Sequence, residues 1–374
     1  MAFFSTVLVR TDLSSIARGA RRTLALAVFV GGVASAAVVA TAAEAQAQER
    51  YSAIVIDLST HEVLHQDEAD DGRFPASLTK MMTLYMLFEA LDAGEVSLTT
   101  GMSVSRAASR QPPSRLGLRR GETITVEDAI QALAARSAND VATVVAERLG
   151  GTESRFAQRM TDRARALGMT ETRFANASGL PDERHRTTAR DMATLSEALI
   201  RDFPQYYHYF QTEGFSWRNR YGGNHNRLLN TVPGVDGIKT GYTRASGFNL
   251  ATSAVRDGRR LIVVVLGGES SAARNAEVEH LLEAAYEELR RREIEAGGGQ
   301  VSVARLTSAP WRGGNRWTED GEIAEGDSDD QDPTAAQLET AAANAEPVFN
   351  PQILGPVRAG TSLPPLLPER AIRR

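Results

Sequence analysis

The sequence predicts one α+β domain, with strands at both ends of its ordered part and helices between them. Three observations carry this reading. Strand-like runs open the domain at 51–58 and 62–65, and others close it at 237–240, 248–255 and 260–266. Apolar runs with helical spacing occupy much of 81–202. The chain has 374 residues and is 42% hydrophobic, enough for a sizeable core. Strands at the two ends meet in one sheet, on which the intervening helices pack.

The first two strands read as a hairpin, with Ser59, Thr60 and His61 at its turn. Residues 81–91 (MMTLYMLFEAL) are hydrophobic on nearly every face, which predicts a buried helix, and Pro75 and Gly94 bound it. Amphipathic helices are predicted at 126–136, 141–149, 154–167 and 189–202, and a last helix at 276–292. The Met and aromatic cluster from Met81 to Phe88 belongs to the core rather than to a cofactor site.

The two ends differ in character from this middle. Residues 1–47 read as an export signal: Arg10, Arg18, Arg21 and Arg22 precede an uncharged run at 23–43, and Ala-x-Ala sites follow at 43–45 and 45–47. Cleavage is the favoured reading and an uncleaved anchor the alternative, since about 20 apolar residues also span a bilayer. The domain that follows, assigned to 48–295, is therefore placed outside the cytoplasm. Residues 296–374 read as a disordered, low-complexity tail. Its stretch 317–347 holds ten Asp and Glu and no Lys or Arg, and 347–374 holds six prolines.

Charge and composition exclude several classes. A net charge of -5 and a pI near 5.8 argue against nucleic acid as the main partner. With no Cys and six scattered His, the chain shows neither a zinc nor a redox motif, and no cofactor is expected. Arg119-Arg120 and Arg290-Arg291-Arg292 are most simply solvated charge; peripheral contact with a membrane surface or an anionic glycan is the alternative.

Only two of the 42 basic residues are lysines, Lys80 and Lys239. A guanidinium stays protonated wherever a protein survives, whereas a lysine amine can lose its proton when buried or beside another cation. Both lysines lie in short motifs. Ser77-Leu78-Thr79-Lys80 heads the buried helix, so a hydroxyl and an amine at i and i+3 share one face, and a neutral amine could activate the serine. Free N–H groups at a helix start also suit a developing oxyanion. Ser137-Ala138-Asn139 sits between two predicted helices, where a helix cap is the commoner role for such residues. Lys239-Thr240-Gly241 lies on a predicted strand, where a cation and a hydroxyl could grip a carboxylate. Each motif alone is weak, but their order and spacing together are specific.

With these three motifs, and with Pro75 to Thr83, Leu167-Gly168-Met169, Asp236 to Gly241 and Gly247 to Leu250 around them, the chain resembles the serine D-alanyl-D-alanine carboxypeptidases, low-molecular-mass penicillin-binding proteins of the S11 peptidase type. The resemblance covers about residues 51–290. It implies the β-lactamase/D,D-peptidase-like fold, an antiparallel sheet flanked by helices with a mostly helical subdomain. It also implies a peptidoglycan pentapeptide as substrate, trimmed of its last D-Ala, and β-lactam antibiotics as covalent inhibitors.

By the same resemblance Ser77 matches the nucleophile, Lys80 its general base and Ser137 a proton shuttle to the leaving amine. Asn139 matches a residue that binds substrate and orders the lysine. Lys239, Thr240 and Gly241 match the strand that binds the terminal carboxylate, the amides of Ser77 and Tyr242 the oxyanion donors, and Arg274 an arginine near that carboxylate. Tyr242 stands where His is common in the family. His225, within Asn224-His225-Asn226, is read as structural or as part of the substrate rim. The family's second, β-rich C-terminal domain is not legible after residue 295. A D,D-endopeptidase shares every motif and is the alternative. A β-lactamase lacks support because no E-x-x-L-N lies between the second and third motifs, and a non-catalytic cell-wall scaffold is disfavoured by the intact motif set.

Overall fold

The computed structural model describes residues 50–296. The segments 1–47 and 297–374, read above as export signal and tail, lie outside the described residues. Five strands form the main sheet: β1 (Ser52–Asp57), β2 (Glu62–Asp67), β7 (Val235–Thr243), β8 (Gly247–Arg256) and β9 (Arg259–Gly268). Their spatial order is β2-β1-β9-β8-β7 and every pairing is antiparallel. The strands of the two chain ends thus share one sheet, as expected, with the first strand beside the last, and β7 forms an edge.

Alternation of side chains assigns two faces. Ile54, Ile56, Ile262, Val264 and Leu266 belong to one core, shared with the helices between β2 and β7. Ala53, Val55, Val263 and Val265 point to the other, against Val278, Leu281, Leu282 and Ala285 of the final helix α6 (Ser271–Ala296). Because both faces are covered, β1 and β9 read as unbroken apolar runs rather than alternating ones.

The helices between are α1 (Thr79–Asp92), α2 (Val126–Ala135), α3 (Asn139–Gly150), α4 (Glu153–Ala166) and α5 (Ala189–Asp202). Thr125, Thr152 and Thr188 cap α2, α4 and α5 by accepting a backbone N–H with their side chains. α1 is buried at every residue from Thr79 to Phe88, which explains its apolar character on all faces. It continues directly from a 3-10 turn, Ala76–Leu78, that carries Ser77.

Some elements differ from the sequence expectation. α3 begins at Asn139, so this residue is the first of a helix rather than part of the connection. The cap reading of the second motif also fails: the N-cap is Ala138, and no side chain caps the helix. Two small two-stranded sheets carry no clear sequence signal, β3 (Gly101–Ser103) with β4 (Thr123–Thr125) and β5 (Gly214–Trp217) with β6 (Arg220–Gly223). Strands of three or four residues are too short to establish a period of two.

Candidate active site

The site lies where the Ala76–Leu78 turn, the start of α1, the start of α3 and the edge strand β7 converge. Asn249 on β8 ties the first of these to the sheet. Its amide donates to Phe74 O at 2.9 Å and Pro75 O at 3.2 Å, and its oxygen accepts from Gly267 N at 3.0 Å. On the other side Gly179 takes φ +85°, and a methyl group there would overlap the carbonyl of Ala76. The serine turn is therefore clamped between β8 and the 176–180 loop.

Lys80 is fully buried and its amine has three partners. They are Ser77 Oγ at 2.9 Å, Asn139 Oδ1 at 2.8 Å and the carbonyl of Ser178 at 2.7 Å. The identity of the Asn139 atom is fixed by the other end of its amide, whose nitrogen donates to Pro112 O at 3.0 Å and Pro113 O at 3.1 Å. Two of the three lysine partners are therefore oxygens that can only accept. A neutral amine has two hydrogens and one lone pair. Its hydrogens satisfy Asn139 and Ser178, which leaves the lone pair for the Ser77 hydroxyl.

Electrostatics favours that neutral form. Burial, with the nearby charge of Lys239 second, holds the Lys80 amine well below the usual lysine range, while Asp140 opposes them. Lys239 is also buried and donates to Thr240 O at 3.0 Å. Burial and then the Arg274 charge push it down to about 7.

The remaining candidate residues are placed as follows. Ser137 is buried with φ 57°, and its Oγ has no hydrogen-bond partner. Thr240 is buried on β7, and Gly241 packs directly against the backbone of Ser77 and Leu78. Tyr242 is 40% exposed, with its ring 4.3 Å from that of Phe248 between centroids. Arg274 is buried and donates to Asn249 O at 2.8 Å and Ser271 Oγ at 3.1 Å. His225 is partly buried, and burial followed by the charges of Lys239, Arg136 and Lys80 pushes it down to about 3. Its imidazole is neutral beside the site.

Sequence reasoning missed the Ser178 carbonyl, the clamp at Gly179 and the tie made by Asn249. A backbone carbonyl leaves no mark in its own side chain. The pattern Asn176-x-x-Gly179 was the available signal, since Asn176 Oδ1 accepts from Gly179 N at 2.7 Å and shapes the loop. Among the described residues no group of three or more His, Cys, Asp or Glu could hold a metal ion, and no helix is long and apolar enough to cross a membrane.

A half-buried serine hydrogen-bonded to a buried lysine at a helix start, beside a cationic strand edge and backed by an antiparallel sheet, defines the class of the penicillin-binding D,D-peptidases. The family model described as D-alanyl-D-alanine carboxypeptidase matches residues 37–270, and the chain belongs to that family. It is 34% identical over 245 residues to D-alanyl-D-alanine carboxypeptidase DacF of Bacillus subtilis, a match covering 64% of this chain and 63% of that protein. The match thus spans less than two thirds of that relative's length.

Solved structures agree on the fold. The D-alanyl-D-alanine carboxypeptidase DacD from Francisella tularensis superposes with a TM-score of 0.61 at 31% identity, over 62% of this chain and 69% of that one. Penicillin-binding protein D2 from Listeria monocytogenes, in its ampicillin-bound form, gives a TM-score of 0.58 at 30% identity, over 63% of this chain and 96% of that one.

Proposed function

We propose that this chain is an exported serine D-Ala-D-Ala carboxypeptidase, acting in the cell envelope on peptidoglycan stem peptides and acylated by β-lactams. The single observation that carries the reading is the Lys80 amine, whose two hydrogens are committed to Asn139 and Ser178 so that its lone pair faces Ser77. The Lys80 lone pair takes the Ser77 proton as Oγ attacks the carbonyl of the penultimate D-Ala. The amides of Ser77 and Tyr242 receive the developing oxyanion, and Lys239, Thr240 and Arg274 hold the terminal carboxylate. The orphaned Ser137 hydroxyl is available to pass a proton to the leaving D-Ala amine. Water then hydrolyses the acyl-enzyme.

Fluorescent penicillin tests this directly. A single covalent label on Ser77, lost in a folded Ser77→Ala variant, is expected, together with release of D-Ala from a synthetic pentapeptide. A label on any other serine refutes the assignment. Penicillin turnover is expected to be slow, because no deacylating glutamate motif is present in the sequence.

A further inference from the structure

Surface charge is unevenly paired in this domain. Exposed arginines on several elements have acidic partners: Arg184 with Asp182 at 2.7 Å, Arg201 with Asp202 at 2.8 Å and Arg292 with Glu62 at 2.8 Å. The loop between β3 and β4 departs from this pattern. Arg106, Arg110, Arg115, Arg119 and Arg120 are all exposed there, and none makes an ion pair among the described residues. No Asp or Glu lies from 104 to 121, and the first acid beyond, Glu122, is paired with Arg218.

The backbone holds these five guanidinium groups on one short frame. Val104 N donates to Glu122 O at 2.8 Å and Gly121 N to Val104 O at 2.9 Å, so the two ends of the loop meet. Midway, the buried Asp140 carboxylate accepts from the N–H groups of Leu116, Gly117 and Leu118 at 3.1, 2.9 and 3.0 Å. The surface is thus preorganised, and like charges placed close together favour an anionic partner.

The same chain supplies the complement. Eight Asp and Glu fall within residues 319–332, with no Lys or Arg among them. The 22 residues 297–318 join this segment to the end of α6. Fully extended they reach about 75 Å, whereas a compact domain of this size is about 46 Å across. A tether of this kind gives an effective concentration on the order of millimolar, which favours the attached segment over a free polyanion of equal affinity.

We propose that the 106–120 loop is the docking surface for the acidic segment 319–332 of the same chain. Docked there, the segment neutralises the loop and lies beside the cleft, because the carbonyls of Pro112 and Pro113 in this loop hold Asn139. The contacts join exposed charges, so salt releases them.

The test exploits the rarity of lysine. Lys80 and Lys239 are both buried, so the described residues offer a carbodiimide no exposed side-chain amine. Arg110→Lys and Arg120→Lys each place one in the loop with the charge unchanged, and Arg173→Lys places one on an exposed segment elsewhere. In the full chain the carbodiimide condenses such an amine with a nearby carboxylate, itself becoming the urea, and mass spectrometry of the digest locates the amide. Cross-links to 319–332 are expected about tenfold or more often from the loop amines than from Arg173→Lys, as five exposed pairs at roughly a factor of two each multiply. They are expected within single chains and lost in about 1 M salt, where the Debye length is about 3 Å. Equal yields from the three variants, or none from any, with each amine shown to acetylate freely, overturn the proposal. Cross-links found only between two copies overturn it in favour of self-association. Cosedimentation of the wild type with phosphatidylglycerol vesicles, abolished by Arg110→Ser with Arg120→Ser, overturns it in favour of a membrane surface.

Discussion

A methyl carbon placed on Gly241 would lie 2.9 Å from the backbone nitrogen of Ser77. It would also lie 3.1 Å from Leu78 N and 3.2 Å from Pro75 O, so three backbone atoms of the serine turn face this one glycine. The strand that carries the cationic site and the turn that carries the hydroxyl are therefore in backbone contact. No flexible side chain is present to yield.

Gly241→Ala is accordingly expected to push β7 away from Ser77 while leaving the core untouched. Displacement of the reacting groups by about 1 Å costs on the order of 10²-fold in rate. The second-order rate of penicillin acylation should fall by that order, with little change in melting temperature. An unimpaired rate would show that the contact does not set the site's geometry.

The pH dependence separates the two lysines. On the proposed mechanism acylation requires Lys80 neutral and Lys239 charged, so the rate is expected to fall on the acid side as Lys80 gains its proton and on the basic side as Lys239 loses its own. The basic limb of kcat/KM, which reports the free enzyme, is expected near 7. A bound carboxylate favours the charged amine, so the limb in kcat lies at higher pH. Lys239→Arg should abolish the limb near 7, because a guanidinium remains charged there. Persistence of that limb in the variant would assign it to another group.

Burying Lys239 also has a stability consequence. Its folded value of about 7 is below the 10.5 of an exposed lysine, so between these two the unfolded chain binds more protons and stability rises with pH. Below about pH 7 the full cost of the buried charge is present. Lys239→Met should therefore melt at higher temperature than the wild type at pH 6, and the gap should narrow as pH rises from 7 toward 10.5. A lower melting temperature for the variant at pH 6 would contradict this.

Much of this architecture was legible in the sequence. Residues 189–202 were read as a helix and α5 has those bounds, because Thr188 caps it and its apolar spacing is regular. The strands β7 to β9 extend one to three residues at either end beyond the runs read from the sequence, 237–240, 248–255 and 260–266, since ladder pairing continues past them. That the two terminal groups of strands share one sheet was read from element order; the direct pairing of β1 with β9 was not. The spacing from Ser77 to Lys80 announced their contact, being local to one helical turn. The contact of Lys80 with Asn139 spans 59 residues and that with the Ser178 carbonyl 98, so neither could be read from local pattern.

The most direct test of the account replaces Lys80 by arginine, the cation at all but two of this chain's 42 basic positions. If Lys80 is the base that takes the Ser77 proton, Lys80→Arg puts a group that stays protonated in its place. The second-order rate of acylation by labelled penicillin, measured on a variant shown to be folded, should fall by about 10²–10⁴-fold, and by more if the larger head displaces Ser77. Lys239→Arg should keep a measurable rate and exceed Lys239→Ala. Acylation of Lys80→Arg at the wild-type rate would mean that Lys80 is not the base.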